Sequence, residues 1–231
     1  MAEEAFARGA RAAERNDLPA AQEHFAQALH QAPDSTSLHA RIGLAYMPRI
    51  GPDIVFPEPA QAARALPHLR RALELDGDQP FPVHLQAILA AVELDREAEA
   101  RRLLTQATRI FHDDAVVLNN IGYALVDADK LTADALPVLE RAVALEPKSG
   151  IIIDSLGWAH YRLGNLRRAA GLLERASDLA PDNAEIEYHL GVVYAHLGRT
   201  EEANARFRRA LEIDPRFAPA RAAVHELRRE Q

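Results

Sequence analysis

One spacing of small, bulky and helix-ending residues recurs along the 231-residue chain. A bulky apolar residue follows an alanine by four positions, a second alanine follows three later, and a proline five after that. The pattern is clearest when 165–183 is aligned with 199–217. A fixed period of about 34 residues is typical of repeat architectures, in which stacked copies bury a continuous core. This periodicity constrains the fold more than any other feature of the sequence.

The pattern recurs in six places, and an apolar residue followed by glycine precedes most of them. Four copies are complete and two lack the proline. The complete copies are Ala21-Phe25-Ala28-Pro33, Ala135-Leu139-Ala142-Pro147, Ala169-Leu173-Ala176-Pro181 and Ala203-Phe207-Ala210-Pro215; the others are Ala65-Leu69-Ala72 and Ala100-Leu104-Ala107. The upstream pairs are Ile42-Gly43, Ile121-Gly122, Leu156-Gly157 and Leu190-Gly191.

This residue pattern predicts two packed helices in each copy. Alanines on the second helix let a neighbouring helix approach closely, and the bulky residue between them fills the remaining space. A glycine inside the first helix costs about 1 kcal/mol relative to alanine, so its use indicates a position where another element passes close by. The proline ends the second helix and sets up the start of the next one.

These copies resemble the tetratricopeptide repeat (TPR), whose pattern runs through Leu-Gly, Tyr, Ala, a bulky apolar residue, Ala and Pro. The resemblance covers nearly the whole chain; repeats four to six, with "LNNIGYALVD" and "IIDSLGWAHYRLG", fit best and also resemble bacterial envelope-associated repeat proteins. It implies an all-α, right-handed superhelical solenoid of about six helix-turn-helix repeats and a C-terminal capping helix. The expected array is 1–217 and the cap 218–231, with repeats at 2–35, 36–79, 80–114, 115–149, 150–183 and 184–217.

Two repeats depart from the pattern. The second is about ten residues too long, and the excess falls in 47–60, where Pro48, Pro52, Pro57 and Pro59 exclude a continuous helix. This insert is interpreted as a loop that folds back on its own repeat, or alternatively as a flap over a groove. The third repeat lacks both glycine and proline at the marker positions and is still expected to form a helix pair.

The single tryptophan, Trp158, does not lie on the face that packs inside its repeat. At 100° per residue, positions 2, 5, 9 and 12 of each first helix form a second stripe about 130° from the packing face. Resemblance to the TPR family implies that this stripe lines the concave side of the superhelix, where peptides or partner helices bind. Trp158 is therefore interpreted as a partner contact, or alternatively as packing between repeats four, five and six.

The stripe predicts a peptide- or partner-binding groove over repeats four to six, where aromatic and amide side chains cluster. Tyrosine and tryptophan combine rigid contact area with a hydrogen-bonding tip, which is typical of binding hot spots. Some TPR proteins grip the C-terminus of a ligand with lysine and asparagine side chains, an arrangement called a carboxylate clamp. No lysine occupies the stripe here, which argues against such a clamp and favours an apolar or amphipathic ligand segment. The predicted groove residues are Asn119, Asn120, Tyr123, Asp154, Trp158, Tyr161, Arg162, Tyr188 and His189.

No sequence motif predicts catalysis, a cofactor or a metal site. Walker, G-x-G-x-x-G and G-x-S-x-G patterns are absent, and the ten histidines do not form H-E-x-x-H. The chain has no cysteine, which excludes disulfides and thiolate metal ligands. We expect a non-catalytic scaffold or adaptor without cofactor; the alternatives are a self-associating structural solenoid and, less favoured, an enzyme with an unmarked site.

Composition limits the class of partner and the expected compartment. The net charge of −7 argues against nucleic acid as the main partner, so a protein or peptide partner is expected, with a homo-oligomer as a further possibility. No run of about 18 apolar residues is present, so no membrane span is expected. Residues 1–16 lack the apolar segment of a signal peptide. The chain is therefore expected to be cytoplasmic, or periplasmic if a leader peptide has been removed.

Overall fold

The computed structural model describes residues 1–48 and 56–229, and within these ranges it contains thirteen α-helices and no β-strand. The fold is an all-α solenoid of consecutive helix pairs, which confirms the fold class predicted from the repeats. The chain divides into two compact bodies, here named the N-terminal body (Met1–Phe111) and the C-terminal body (His112–Gln231).

The N-terminal body contains three helix pairs. Its helices are α1 (Ala2–Glu14), α2 (Leu18–Gln31), α3 (Thr36–Tyr46), α4 (Pro59–Leu75), α5 (Phe81–Glu93) and α6 (Glu97–Ile110). The third pair forms although it lacks the marker glycine and proline, because α5 is almost entirely buried along its length. Residues 49–55 of the predicted insert lie outside the described residues, so both interpretations of the insert stay predictions.

The C-terminal body contains three further pairs and a final helix. Its helices are α7 (Ala115–Asp127), α8 (Thr132–Leu145), α9 (Gly150–Arg162), α10 (Leu166–Leu179), α11 (Ala184–His196), α12 (Thr200–Ile213) and α13 (Ala218–Arg229). Within this body α9 contacts α7 and α11 as well as its own partner α10. The first helices of successive repeats therefore lie side by side.

Side-chain N-caps start four of the first helices, namely α3, α7, α9 and α11. The Oγ atom of Ser149 accepts a hydrogen bond from the Ile152 N–H at 3.4 Å, and Asn183 Oδ1 accepts one from the Ile186 N–H at 3.1 Å. Such N-caps satisfy backbone donors that have no partner inside the helix, and each contributes about 1 kcal/mol. Before α3, α9 and α11 the order is proline, polar residue, cap, which ends one repeat and begins the next.

The marker glycines lie where the two helices of a pair are in closest contact. A Cβ atom on Gly122 would lie 2.5 Å from Cγ of Leu139, and one on Gly191 would lie 2.6 Å from Cε1 of Phe207. Leu139 is fully buried, and burying such a side chain contributes about 1.5–3 kcal/mol. The glycine and the bulky residue of the repeat pattern are therefore one contact, made once in each of these pairs.

Candidate functional site

Trp158 lies on α9 in the C-terminal body and is half-buried. Its ring stacks on Tyr161 of the same helix, with centroids 4.5 Å apart, and on His189 of α11, with centroids 4.0 Å apart and planes 15° from parallel. Aromatic pairs of this kind contribute about 0.5–1.5 kcal/mol beyond the area they bury. Trp158 is thus packed between repeats five and six and still presents part of its surface to solvent.

An open groove of about 500 Å³ lies against this stack, and we call it the aromatic groove. Its lining comes from α9, α11, the turn after α9 and the start of α10. The lining residues are Trp158, Tyr161, Arg162, Gly164, Leu166, Tyr188, Val192 and His196. A depression of about 650 Å³ beside α1 and α2 is larger. Size alone therefore does not distinguish the aromatic groove, but its combination of aromatic rings and hydrogen-bonding groups does.

Two donors in the aromatic groove have no hydrogen-bond partner among residues 1–48 and 56–229. They are the indole N–H of Trp158 and the hydroxyl of Tyr188. The Tyr188 ring is fixed by Phe207 at 5.8 Å and by the edge of Phe217 at 5.6 Å between centroids. Burial raises the pKa of Tyr188, so its hydroxyl stays protonated at neutral pH. Both donors are available to a ligand on rings that are already held in place.

The far end of the groove is formed by Tyr161, Val192 and His196. Nδ1–H of His196 donates to the Val192 carbonyl at 2.9 Å, which leaves Nε2 to accept from the Tyr161 hydroxyl at 3.4 Å. Val192 and His196 are not among the residues predicted for the groove. The sequence could have identified both residues, because Val192 lies on the second stripe of repeat six and His196 is one residue beyond that stripe.

Beneath Trp158 lies a buried ion pair between α9 and α11. Nδ1–H of His189 donates to both carboxylate oxygens of Asp154 at 3.0 Å, and the two side chains are only 5% and 7% exposed. Burial disfavours the charged imidazolium, but the charge and hydrogen bond of Asp154 outweigh this effect and raise the pKa of His189. Both residues were predicted to contact a partner, whereas the structure places them beneath the surface and in contact with each other.

Three of the predicted residues, Asn119, Asn120 and Tyr123, lie on α7. The Tyr123 hydroxyl donates to the Glu185 carboxylate on α11 at 2.9 Å, and burial followed by the Glu185 charge raises the pKa of Tyr123. Asn119 is buried and its Oδ1 has no hydrogen-bond partner, while Asn120 is exposed. Asn119 is therefore inaccessible to a ligand in this arrangement, and Asn120 is accessible.

Arg162 stands at the rim of the aromatic groove with its charge already engaged. Its guanidinium lies 2.7 Å from the Asp129 carboxylate, and its side chain is 25% exposed. The second residue of α7 and the second residue of α9 are apolar and exposed. Val116 on α7 is 61% exposed, and Ile151 on α9 is 59% exposed. The predicted stripe thus has apolar residues at its start and aromatic residues at its end.

The structure brings together five of the nine predicted residues, Trp158 itself among them. These are Asp154, Trp158, Tyr161, Tyr188 and His189, and Arg162 adjoins them at the groove rim. Asn119, Asn120 and Tyr123 lie on α7 instead and do not line the aromatic groove. The binding role of all nine residues stays a prediction.

Within residues 1–48 and 56–229, no helix combines the length and the apolar character needed to cross a membrane. In the same residues no three or more histidine or acidic side chains cluster in a way that could hold a metal ion.

Comparison with known proteins places the chain in a class of helical-repeat proteins. Residues 155–218 match the sequence profile of the tetratricopeptide repeat. A 57-residue stretch is 39% identical to "TPR repeat-containing protein PA4667" of Pseudomonas aeruginosa; it represents 25% of this chain and 10% of that protein. The chain thus aligns with only about a tenth of the length of this relative.

Solved structures show the same fold along most of the chain. YrrB, described as a TPR protein with an unusual peptide-binding site, is 23% identical with a TM-score of 0.54, covering 86% of this chain and 96% of YrrB. TTC0263 of Thermus thermophilus, a thermophilic TPR protein, is 21% identical with a TM-score of 0.55, covering 84% and 98%. MamA of Desulfovibrio magneticus RS-1 is 20% identical with a TM-score of 0.52, covering 68% and 88%.

The helix pairs, their glycine contacts and the exposed stripe define a helical-repeat scaffold. Residues 155–218 match the profile of the tetratricopeptide-repeat family, and solved structures of TPR proteins share the fold along most of the chain. The fold is consistent with a protein–protein interaction scaffold, and proteins of this family are generally not catalytic.

Proposed function

We propose that the protein is a non-catalytic adaptor that binds a peptide segment or helix of a partner protein in the aromatic groove. The observation that carries the proposal is the pair of donors, the Trp158 indole N–H and the Tyr188 hydroxyl, without partners on otherwise fixed rings in the described part of the chain. A groove with rigid aromatic walls and free donors suits a ligand that offers apolar side chains and carbonyl oxygens. A peptide segment supplies both. The peptide-binding site in the description of YrrB is in keeping with this proposal.

The exposed apolar residues extend the proposed surface. Val116 and Ile151 occupy the same position in successive first helices, and both are more than half exposed. An amphipathic segment lying along the stripe would cover them while its aromatic or aliphatic anchor enters the groove. The same exposure favours the alternative in which a second copy of the chain covers this face. Light scattering over a range of protein concentrations separates a monomeric adaptor from a self-associating solenoid.

The proposal is tested by affinity capture from a lysate of the source organism with the wild type, Trp158→Ala and Leu179→Ala. Leu179 is the matched control because it is an exposed apolar residue, 42% exposed, in the same body but outside the groove. We expect a protein that wild type and Leu179→Ala retain and that Trp158→Ala loses. Truncating such an anchor weakens binding by about 2 kcal/mol, or about thirtyfold.

Capture alone does not establish the binding mode, so overlapping peptides of the retained protein are then titrated into the wild type. We expect one segment to bind and to protect Trp158 from a soluble quencher. Identical protein sets for all three variants, each with full helical circular dichroism, would refute the groove as the binding site and direct attention to the outer faces.

A further inference from the structure

The buried pair beneath the groove has no role in the function proposed above, although it contacts the central residue of that groove. Asp154 and His189 are almost completely buried, and the His189 ring lies flat against Trp158 at 4.0 Å. A carboxylate removed from water is strongly destabilising unless a hydrogen-bonded partner compensates its charge. Apolar residues would fill the same space without this requirement, so packing alone does not explain why an ion pair lies here.

The second proton on His189 changes both contacts of the ring. With imidazolium, the Asp154 carboxylate faces a full positive charge, and the indole face of Trp158 stacks on a cation, which is a favourable cation–π contact. With neutral imidazole, Nδ1–H still donates to the carboxylate, but the compensating charge and the cation–π contact are both lost. The position of Trp158 is therefore coupled to a single proton.

The ionisable groups around His189 favour the charged form. Asp154 faces it from α9, Glu185 lies one turn away on α11, and Asp127 acts from α7 beside Tyr123. These acids together raise the pKa of His189 against the opposing effect of burial.

The other helices packed on α11 do not offset these acids. Glu174 of α10 accepts a hydrogen bond from Tyr194, and Arg206 of α12 donates to Glu187. Tyr194 and Glu187 are on α11 but do not contact the His189 ring, so the charges of α10 and α12 serve a separate network. The acids of α7, α9 and α11 therefore set the protonation of His189.

We propose that Asp154 and His189 are positioning residues for Trp158, and that they hold the aromatic groove in its binding arrangement only while His189 carries its second proton. This inference rests on the proposed function, because it assigns a regulatory proton to the same groove. A folded-state pKa above the ordinary value of 6.5 means that the stabilisation is complete below 6.5 and is lost as pH rises through the folded pKa. The groove is thus ordered below pH 6.5 and loosens as pH rises through the folded pKa of His189.

The test uses the fluorescence of Trp158, which is the only tryptophan in the chain. Emission is recorded from about pH 6 to about pH 10, with acrylamide as the probe of indole accessibility. Imidazolium stacked on indole quenches its emission, so we expect a one-proton rise in fluorescence with a midpoint above 6.5. Acrylamide quenching should increase over the same step. Burial raises the pKa of Tyr161 and of Tyr188 above the ordinary value of 10, so the ionisation midpoints of these tyrosines lie beyond the titrated range.

Three variants assign the step. His189→Gln should abolish it, and Asp154→Asn should lower its midpoint by about 1–3 units, because a facing carboxylate is removed. His196→Gln is the matched control: this histidine lies in the same groove but contacts Tyr161 and not Trp158, so the step should remain. Circular dichroism of each variant reports whether it is folded.

A wild-type titration without a step, or one in which acrylamide quenching stays constant, overturns the inference whether or not any variant folds. A step that persists in folded His189→Gln also overturns it. Failure of the proposed function is a separate result, since it consists of protein capture that is insensitive to Trp158→Ala. The fluorescence titration needs no partner, so the two failures are distinguishable.

Discussion

Tyr188→Phe removes one oxygen atom from the aromatic groove and leaves its packing in place. The ring keeps its contacts with Phe207 at 5.8 Å, with Phe217 at 5.6 Å and with His189 at 5.9 Å. The hydroxyl has no hydrogen-bond partner among residues 1–48 and 56–229, so no internal bond is broken. We therefore expect the free energy of unfolding to change by less than about 0.5 kcal/mol.

The expected loss of affinity follows from a single hydrogen bond. If a bound segment accepts from the Tyr188 hydroxyl, its removal costs about 0.5–1.5 kcal/mol, which weakens binding about two- to twelvefold. Isothermal titration calorimetry with the captured segment measures the affinity, and urea unfolding measures the stability. The prediction is a change in binding without a change in stability.

Tyr194→Phe is the matched control on a different face of α11, outside the aromatic groove. Its hydroxyl donates to Glu174 at 2.8 Å, and the guanidinium of Arg199 lies 3.8 Å above its ring. Removing this hydroxyl should lower the free energy of unfolding by about 1 kcal/mol and leave binding unchanged. The two variants should thus show opposite patterns. The reasoning is refuted if Tyr188→Phe destabilises the fold by more than about 1 kcal/mol while affinity stays at the wild-type value.

Three further predictions concern packing, a buried charge and acid stability. Gly122→Ala should lower the free energy of unfolding by about 1–3 kcal/mol, because the new Cβ would lie 2.5 Å from Leu139. Gly171→Ala should raise it by about 0.5–1 kcal/mol, because nothing lies within 4 Å of the new Cβ. Equal urea midpoints for the two variants would contradict this prediction. Arg206→Ala should lower the free energy of unfolding by about 2–3 kcal/mol, because the buried Glu187 carboxylate loses its cation. The loss is smaller than for a fully buried pair, because Arg206 is 36% exposed. Arg206→Lys should recover part of the stability. Burial lowers the pKa of His68 from 6.5 to about 4. The stabilisation from neutral His68 should therefore be fully present above pH 6.5 and be lost as pH falls toward 4. His68→Gln should reduce the dependence of the free energy of unfolding on pH, as measured by urea unfolding at each pH.

Much of the fold could be predicted because its information is local and repeated. The glycine before the bulky residue, as in Gly122 and Leu139, appears in the sequence as a spacing and in the structure as one contact. The second stripe also placed Trp158, Tyr161 and Tyr188 on the same side of their helices. Periodicity of 3.6 residues is sufficient for such statements.

The chemistry beneath the surface could not be predicted in the same way. Whether Asp154 meets His189 or a ligand depends on the distance and angle between α9 and α11, which no spacing within one helix specifies. The Ser177–Glu187–Arg206 network was missed for the same reason, although Ser177 donates to Glu187 at 2.6 Å. Val192 and His196 were on or beside the stripe, and their role at the groove appeared only when side-chain directions were known.

The hydrogen bond from Tyr123 to Glu185 has a consequence for how the C-terminal body unfolds. In an ideal solenoid each repeat interacts only with its immediate neighbours, so unfolding can proceed one repeat at a time from an end. This bond joins α7 of the fourth repeat to α11 of the sixth, while α9 contacts both helices. Such a second-neighbour coupling ties three repeats into one cooperative segment. In hydrogen exchange, the amides of α7, α9 and α11 should open together, and Tyr123→Phe should let the last repeat open first.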